Sequence, residues 1–109
     1  MAESFTERRQ TARVTVRGVH SERTVALSVR LVDISLSGVM MLASRPIEPG
    51  QRAHMSTRLD KGAVDADIEI RRVSATHDAR GEYRIAARFI ALDEAARGAM
   101  RQFLARGQA

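Results

Sequence analysis

Two short segments carry the residues best suited to binding chemistry. The segment Arg8–Arg13 clusters three guanidinium groups, and the segment Asp33–Gly38 reads as a short polar turn with the pattern D-x-S-x-x-G. A guanidinium donates two parallel hydrogen bonds to neighbouring acceptors, and the O6 and N7 atoms of guanine match that spacing. Phosphate oxygens accept from the same groups. Together the two segments predict a site for a guanine nucleotide, although neither segment alone would be diagnostic.

Residues for metal binding or catalysis are poorly represented. The chain has no cysteine, which excludes disulfides, thiol nucleophiles and cysteine-ligated metals. Its histidines, His20, His54 and His77, are scattered, with no carboxylate at metal-ligand spacing. The serines lack a G-x-S-x-G elbow, and the acidic run over residues 65–69 is interpreted as a solvated strand face. We therefore predict no catalytic residue, no metal site and no enzymatic activity.

The charge balance favours anionic partners. A net charge of +5 and a pI near 11.2 suit nucleic acid, phospholipid or phosphorylated metabolites. Aromatic residues make up only 4% of the chain, which gives little support for a platform that stacks nucleic-acid bases. Binding of nucleic acid is therefore the weaker expectation, and a phosphorylated metabolite is the stronger one.

Length and hydropathy indicate one domain that stays in the cytoplasm. The 109 residues suffice for a single core, and no apolar run approaches the roughly 20 residues that cross a bilayer. The first nine residues contain acidic side chains and no apolar segment typical of a secretory signal. We expect no membrane span, and the sequence selects no oligomeric state.

Apolar and polar residues alternate along several short segments, as in half-buried strands. Turn residues at 46–50 and 60–62 separate these segments, and the alternation slips at residues 71–73, which predicts a bulge. Short strands joined by turns indicate an antiparallel barrel or sandwich. Val64, Ala66, Ile68 and Ile70 are expected to face inward. Two further sets are each expected to share one face of a strand: Val25, Leu27, Val29 and Leu31, and Tyr83, Ile85, Ala87 and Phe89.

The two ends of the chain differ from this pattern. Residues 1–12 show no sustained periodicity and are predicted to form a flexible arm, with the folded domain spanning residues 13–109. Near the end the period becomes helical, with Asp93 as the N-cap and a helix that covers one open end of the β-structure. Its apolar face is Ala96, Met100, Phe103 and Leu104. The methionines at 40, 41 and 100 are interpreted as core filler.

The two polar segments resemble the signature of the PilZ domain family. Arg9 and Arg13 match its R-x-x-x-R segment, and Asp33, Ser35 and Gly38 match its [D/N]-x-S-x-x-G segment. The resemblance extends from about residue 7 to the final helix and includes the strand at residues 83–89. It implies a mainly β fold, a small antiparallel six-stranded barrel with a C-terminal helix, and a receptor site for cyclic di-GMP. Many members have glycine where this chain has alanine at position 87.

The resemblance also implies a role for each matched residue. Arg9 and Arg13 are expected to bind guanine edges and phosphates, and Asp33 to accept from guanine N1 and N2. Ser35 is expected to bind the same nucleotide, and Gly38 to leave space for it. The alternative for the carboxylate and the hydroxyl is a turn in which they cap their own backbone.

Arg8 precedes the R-x-x-x-R segment directly. In the family, a long basic residue at this position accompanies an intercalated pair of cyclic di-GMP molecules, so we favour a pair over a single ligand. The expected output is a shape change in which the arm folds over the barrel and a downstream partner protein responds. A small basic barrel that binds single-stranded nucleic acid and an interaction module that has lost nucleotide binding remain the alternatives.

Overall fold

Six antiparallel strands close into a barrel, as the family resemblance implied. The computed structural model describes residues 10–17, 24–59, 62–76 and 81–107. The order around the barrel is β1-β2-β3-β6-β5-β4, and β4 pairs with β1 to close it. One helix follows the last strand. The elements are β1 (Gln10–Arg17), β2 (Thr24–Ile34), β3 (Gly38–Ala43), β4 (Arg52–Leu59), β5 (Gly62–Ala75), β6 (Tyr83–Leu92) and α1 (Glu94–Gly107).

Alternation along the strands builds an apolar interior. The predicted inward residues of β5 are all buried, and Ile85 and Ala87 of β6 face the same core. Within the described residues the buried set contains no polar or charged side chain. Met41 and Met100 are fully buried, whereas Met40 is half-buried and lies on the outer side, because its neighbour Met41 faces inward. The interpretation of Met40 as core filler was therefore wrong.

Three irregularities interrupt the two ladders that flank the β3–β6 pair. Pairing between β5 and β6 shifts between Ile70 and Arg72, which confirms the bulge predicted at residues 71–73. The same ladder also shifts between Asp67 and Ile68, which was not predicted. Pairing between β2 and β3 shifts between Leu31 and Asp33, and this bulge was not predicted either. It changes which side chains of β2 face solvent.

The helix covers one end of the barrel. The carboxylate Oδ1 of Asp93 accepts a hydrogen bond of 2.7 Å from the Ala96 amide, so the predicted N-cap is confirmed. Met100 is 0% exposed, and the helix packs mainly on β5. At Gly62 the packing leaves no room for a side chain, since a Cβ there would lie 2.6 Å from the Ala99 methyl carbon.

The start of β1 lies at the same end as the helix. Gln10 pairs with Leu31 near the end of β2, and its side-chain amide donates to the carbonyl of Arg58 at 2.7 Å. The turn between β2 and β3 is also at this end, which we call the helix end of the barrel. None of the helices in the described part of the chain is long and apolar enough to cross a membrane.

The boundary of the arm differs in detail from the expectation. Gln10, Thr11 and Ala12 are already part of β1, so the strand begins before the predicted boundary at residue 13. The rest of the predicted arm, residues 1–9, lies outside the described residues. The division into arm and barrel therefore remains a prediction for those residues.

Candidate functional site

The Asp33 carboxylate reaches solvent because of the bulge in β2. Leu31 pairs with the inward-facing Met41, while Asp33 pairs with the outward-facing Met40, so Val32 is an extra residue between the two pairs. In an unbroken strand Asp33 would share the inward side of Val29, which is buried. The extra residue turns Asp33 outward and leaves Ile34 packed against the core. Asp33 has no side-chain partner among the described residues.

The Ser35 hydroxyl organises the turn between β2 and β3. Its Oγ accepts hydrogen bonds from the amides of Ser37 at 3.2 Å and Gly38 at 3.3 Å, and it contacts the Ser37 Oγ at 3.0 Å. The Ser35 amide donates to the Gly38 carbonyl at 2.9 Å. Ser35 therefore caps the backbone of its own turn, as the alternative interpretation predicted. The residue is nevertheless exposed, so its hydroxyl can still be reached by a ligand.

Gly38 lacks a side chain because strand β6 passes beside it. A Cβ at Gly38 would lie 2.4 Å from the Ala87 carbonyl oxygen and 3.2 Å from the Arg88 Cα. The close approach observed at this glycine is thus to the protein's own backbone.

Ala87 belongs to the core and not to the outer surface. Its side chain is 6% exposed and faces the barrel interior, whereas Asp33 faces outward. The methyl group that replaces the commoner glycine therefore does not intrude on the face that carries Asp33.

The structure separates Arg13 from the turn. Arg13 is exposed on the outer face of β1, opposite Ser28 of β2 and Ser56 of β4. Asp33 lies roughly 16 Å further along β2 at about 3.3 Å per residue, so the two side chains do not meet directly. Arg8 and Arg9 lie outside the described residues. The first described residue, Gln10, nevertheless pairs with Leu31, at the end of β2 that carries Asp33.

A pair of charges lies next to the turn and was not predicted from the sequence. Arg88 of β6 pairs with Gly38 of β3, and its Nε donates to the Glu69 carboxylate at 2.6 Å. This hydrogen bond and the nearby positive charges of Arg88 and Arg71 hold the pKa of Glu69 below its ordinary value. The two partners are far apart in sequence, so only the register of β5 against β6 could have revealed them.

His54 is exposed at the surface, and it has two acidic neighbours that were not predicted from the sequence. Its ring nitrogens contact Asp67 at 3.1 Å and Asp65 at 3.3 Å across the β4–β5 ladder, and Ser56 also hydrogen-bonds Asp65. The hydrogen bond to Asp67 is the largest influence and raises the pKa of His54, with a further contribution from Asp65. The described residues contain no cluster that could hold a metal ion.

A cavity opens at the opposite end of the barrel. It has a volume of about 310 Å³ and is lined largely by apolar side chains, including Val16, Leu27 and Ile47, with Arg45 and Glu48 at its border. One arginine beside a carboxylate is a poor environment for a ligand with two phosphates. The polar groups that suit such a ligand lie at the helix end.

Comparison with known proteins identifies the family. The PilZ domain family matches residues 6–106, so this chain belongs to the PilZ domain family. Among solved structures, the fold is similar to the PilZ domain of YcgR from Escherichia coli, solved with c-di-GMP. The TM-score is 0.67 at 17% sequence identity, and the match covers 94% of this chain and 84% of the other. No curated protein shows a significant match.

Proposed function

We propose that the protein is a non-enzymatic receptor for the bacterial second messenger cyclic di-GMP. The observation that carries this proposal is that the solvent-facing Asp33 and Ser35 turn lies at the same end of the barrel as Gln10, the residue that follows Arg9 in the sequence. The presence of c-di-GMP in the related YcgR domain supports the same ligand here.

The chemistry of the two segments complements the two halves of the ligand. Asp33 accepts from the N1 and N2 donors of guanine, while Arg9 and Arg13 donate to O6, N7 and phosphate oxygens. The net charge of +5 adds a general attraction for a ligand with two phosphates. Each charge-assisted hydrogen bond contributes about 1.5–3 kcal/mol, so loss of one lowers affinity roughly tenfold or more.

The proposed signal is closure of the arm over the ligand. Ordering residues that precede β1 costs conformational entropy, which the ligand's contacts with Arg8, Arg9 and Arg13 must outweigh. Closure changes the surface presented at the helix end, and a downstream partner protein responds to that change. Arg8 supplies charge for a second, intercalated cyclic di-GMP molecule. Titration should then give two ligands per chain, falling to one in Arg8→Leu.

Placement of the aromatic side chains disfavours the nucleic-acid alternative. Tyr83, Phe89 and Phe103 all pack against the core, so within the described ranges no aromatic ring is offered as a stacking platform on the barrel wall.

Calorimetric titration tests the proposal. Cyclic di-GMP should bind at micromolar concentration or below, whereas GTP, cyclic GMP and single-stranded DNA should not compete at physiological salt. Arg13→Ala and Asp33→Asn should each weaken binding roughly tenfold or more with an unchanged circular dichroism spectrum. Arg101→Ala, an exposed arginine on α1, is the control and should leave affinity unchanged. Absence of binding by the wild type would refute the proposal.

A further inference from the structure

Among the arginines that the structure describes, Arg88 has the most direct backbone contact with the β2–β3 turn. It pairs with Gly38, and the Cα of Arg88 lies 3.2 Å from the position that a Cβ of Gly38 would occupy. The next residue, Phe89, donates its amide to the Ser37 carbonyl at 2.9 Å. The backbone of β6 is therefore fixed to the turn at the arginine and at the residue that follows it.

Glu69 orients the Arg88 guanidinium by accepting a hydrogen bond from its inner nitrogen, Nε. The contact is from Nε to the Glu69 carboxylate at 2.6 Å, and it leaves both terminal nitrogens without a partner in the described part of the chain. The Arg88 side chain is 53% exposed, whereas Glu69 is only 22% exposed. Arg71 also approaches the Glu69 carboxylate, at 3.5 Å, so the single negative charge lies between two positive ones.

The turn therefore has an acceptor on one side and a donor on the other. Asp33 faces outward from β2, and Arg88 faces outward from β6, with β3 between them. Guanine has both kinds of edge, with donors at N1 and N2 and acceptors at O6 and N7. A phosphate oxygen is the other acceptor that a guanidinium fork suits.

We propose that Arg88 is a further ligand-binding residue, which donates from its two terminal nitrogens to a guanine edge or a phosphate of cyclic di-GMP, and that Glu69 is its positioning residue. This inference rests on the proposed function and extends the binding site from β2 across to β6. A glutamate carboxylate is ionised at neutral pH, and the hydrogen bond from Arg88 lowers the pKa of Glu69 further, so the orienting contact persists there.

The test compares two arginines of the same strand. Arg84 also lies on the outer side of β6 and is exposed, but it pairs with Leu42, away from the turn. In cyclic di-GMP titration, Arg88→Gln should weaken binding roughly tenfold or more, whereas Arg84→Gln should change it less than about twofold. Arg88→Lys keeps the charge without the fork and should give an intermediate loss. Equal affinities of wild type and Arg88→Gln would overturn the inference.

A double-mutant cycle tests the role of Glu69. If Glu69 acts by orienting Arg88, Glu69→Gln should weaken cyclic di-GMP binding a few-fold in the wild-type background. In the Arg88→Gln background the same substitution should cause no further loss of affinity. A merely structural role would give the same loss in both backgrounds and would contradict the positioning role. Thermal unfolding of each variant shows that it is folded. Failure of the wild type to bind would instead contradict the proposed function, so the two failures are distinguishable.

Discussion

At the scale of single residues, the types of the motif side chains are readable from the sequence, but their partners are not. Asp33 and Ser35 could be identified as ligand-binding candidates from spacing alone. The contacts of Arg88 with Glu69 and of His54 with Asp67 join residues on different strands, and they depend on which residue lies opposite which. A shift of one position in register would remove both contacts, and local sequence patterns do not determine register at that resolution.

Two glycines should respond in opposite ways to the same substitution. Gly38→Ala forces a Cβ to within 2.4 Å of the Ala87 carbonyl oxygen, so β3 and β6 must move apart. We expect destabilisation of about 1–3 kcal/mol in urea unfolding. Gly98→Ala adds a methyl group on the exposed side of α1, where no atom lies within 4 Å, and should stabilise by roughly 0.5–1 kcal/mol. A neutral Gly38→Ala would show that the strands do not approach this closely.

The charge on His54 should make stability depend on pH. Because Asp67 and Asp65 raise the pKa of His54 above 6.5, the folded state binds the proton more tightly than the unfolded state. The resulting stabilisation is fully present below the unfolded pKa and is lost as pH rises through the folded pKa. Asp67→Asn should lower the His54 pKa in an NMR titration of the ring protons. It should also destabilise the fold more at about pH 5.5 than at about pH 8.5, and equal effects at both would contradict this account.

At the scale of elements, the bulge at Val32 exposes the candidate carboxylate. Alternation from Val29 places Asp33 inward, and the sequence gives no sign that the ladder shifts before it. By contrast, the consecutive charged residues Arg71 and Arg72 did mark the bulge in β5, because no regular strand could bury one of them. A bulge is predictable where it separates two charges, and it is hidden where the extra residue is apolar.

Removing the extra residue should leave the carboxylate exposed. With Val32 deleted, Leu31 still pairs with Met41 and Asp33 still pairs with Met40, so the ladder becomes regular while Asp33 faces outward and Ile34 faces inward. We therefore expect the deletion variant to lose less affinity for cyclic di-GMP than Asp33→Asn. Val32→Thr keeps the bulge and changes a side chain that is 52% exposed, so it should retain affinity and stability to within about 0.5 kcal/mol. A loss of binding in the deletion variant as large as that in Asp33→Asn would contradict this prediction.

The helix contributes to the same end of the barrel through one buried face. Met100 is 0% exposed where α1 packs on the strands, so Met100→Ala should cost about 2–5 kcal/mol in chemical unfolding. Gln102→Ala, at an exposed position of the helix, is the matched control and should change stability by less than about 0.5 kcal/mol. Similar effects of the two substitutions would indicate that the helix does not seal the core.

At the scale of the whole molecule, closure of the barrel brings distant segments together. The periodicity predicted the inward faces of β5 and β6, and the N-cap at Asp93 predicted where the helix begins. The closure itself followed from the family resemblance, because alternation alone fits a sandwich equally well. Pairing of β1 with both β2 and β4 is what places Gln10, the first described residue, at the same end of the barrel as the β2–β3 turn. That proximity is the basis of the proposed receptor site.

The most direct test is an NMR map of the bound ligand. Cyclic di-GMP should be titrated into ¹⁵N-labelled protein and the backbone amide shifts followed. We expect the largest changes at Asp33–Gly38, at Arg8–Arg13 and at Arg88, and no change in the loop at the opposite end, around Glu48 and Gln51. Shifts concentrated at that opposite end, or no shifts at saturating ligand, would contradict the assignment of the helix end as the receptor site.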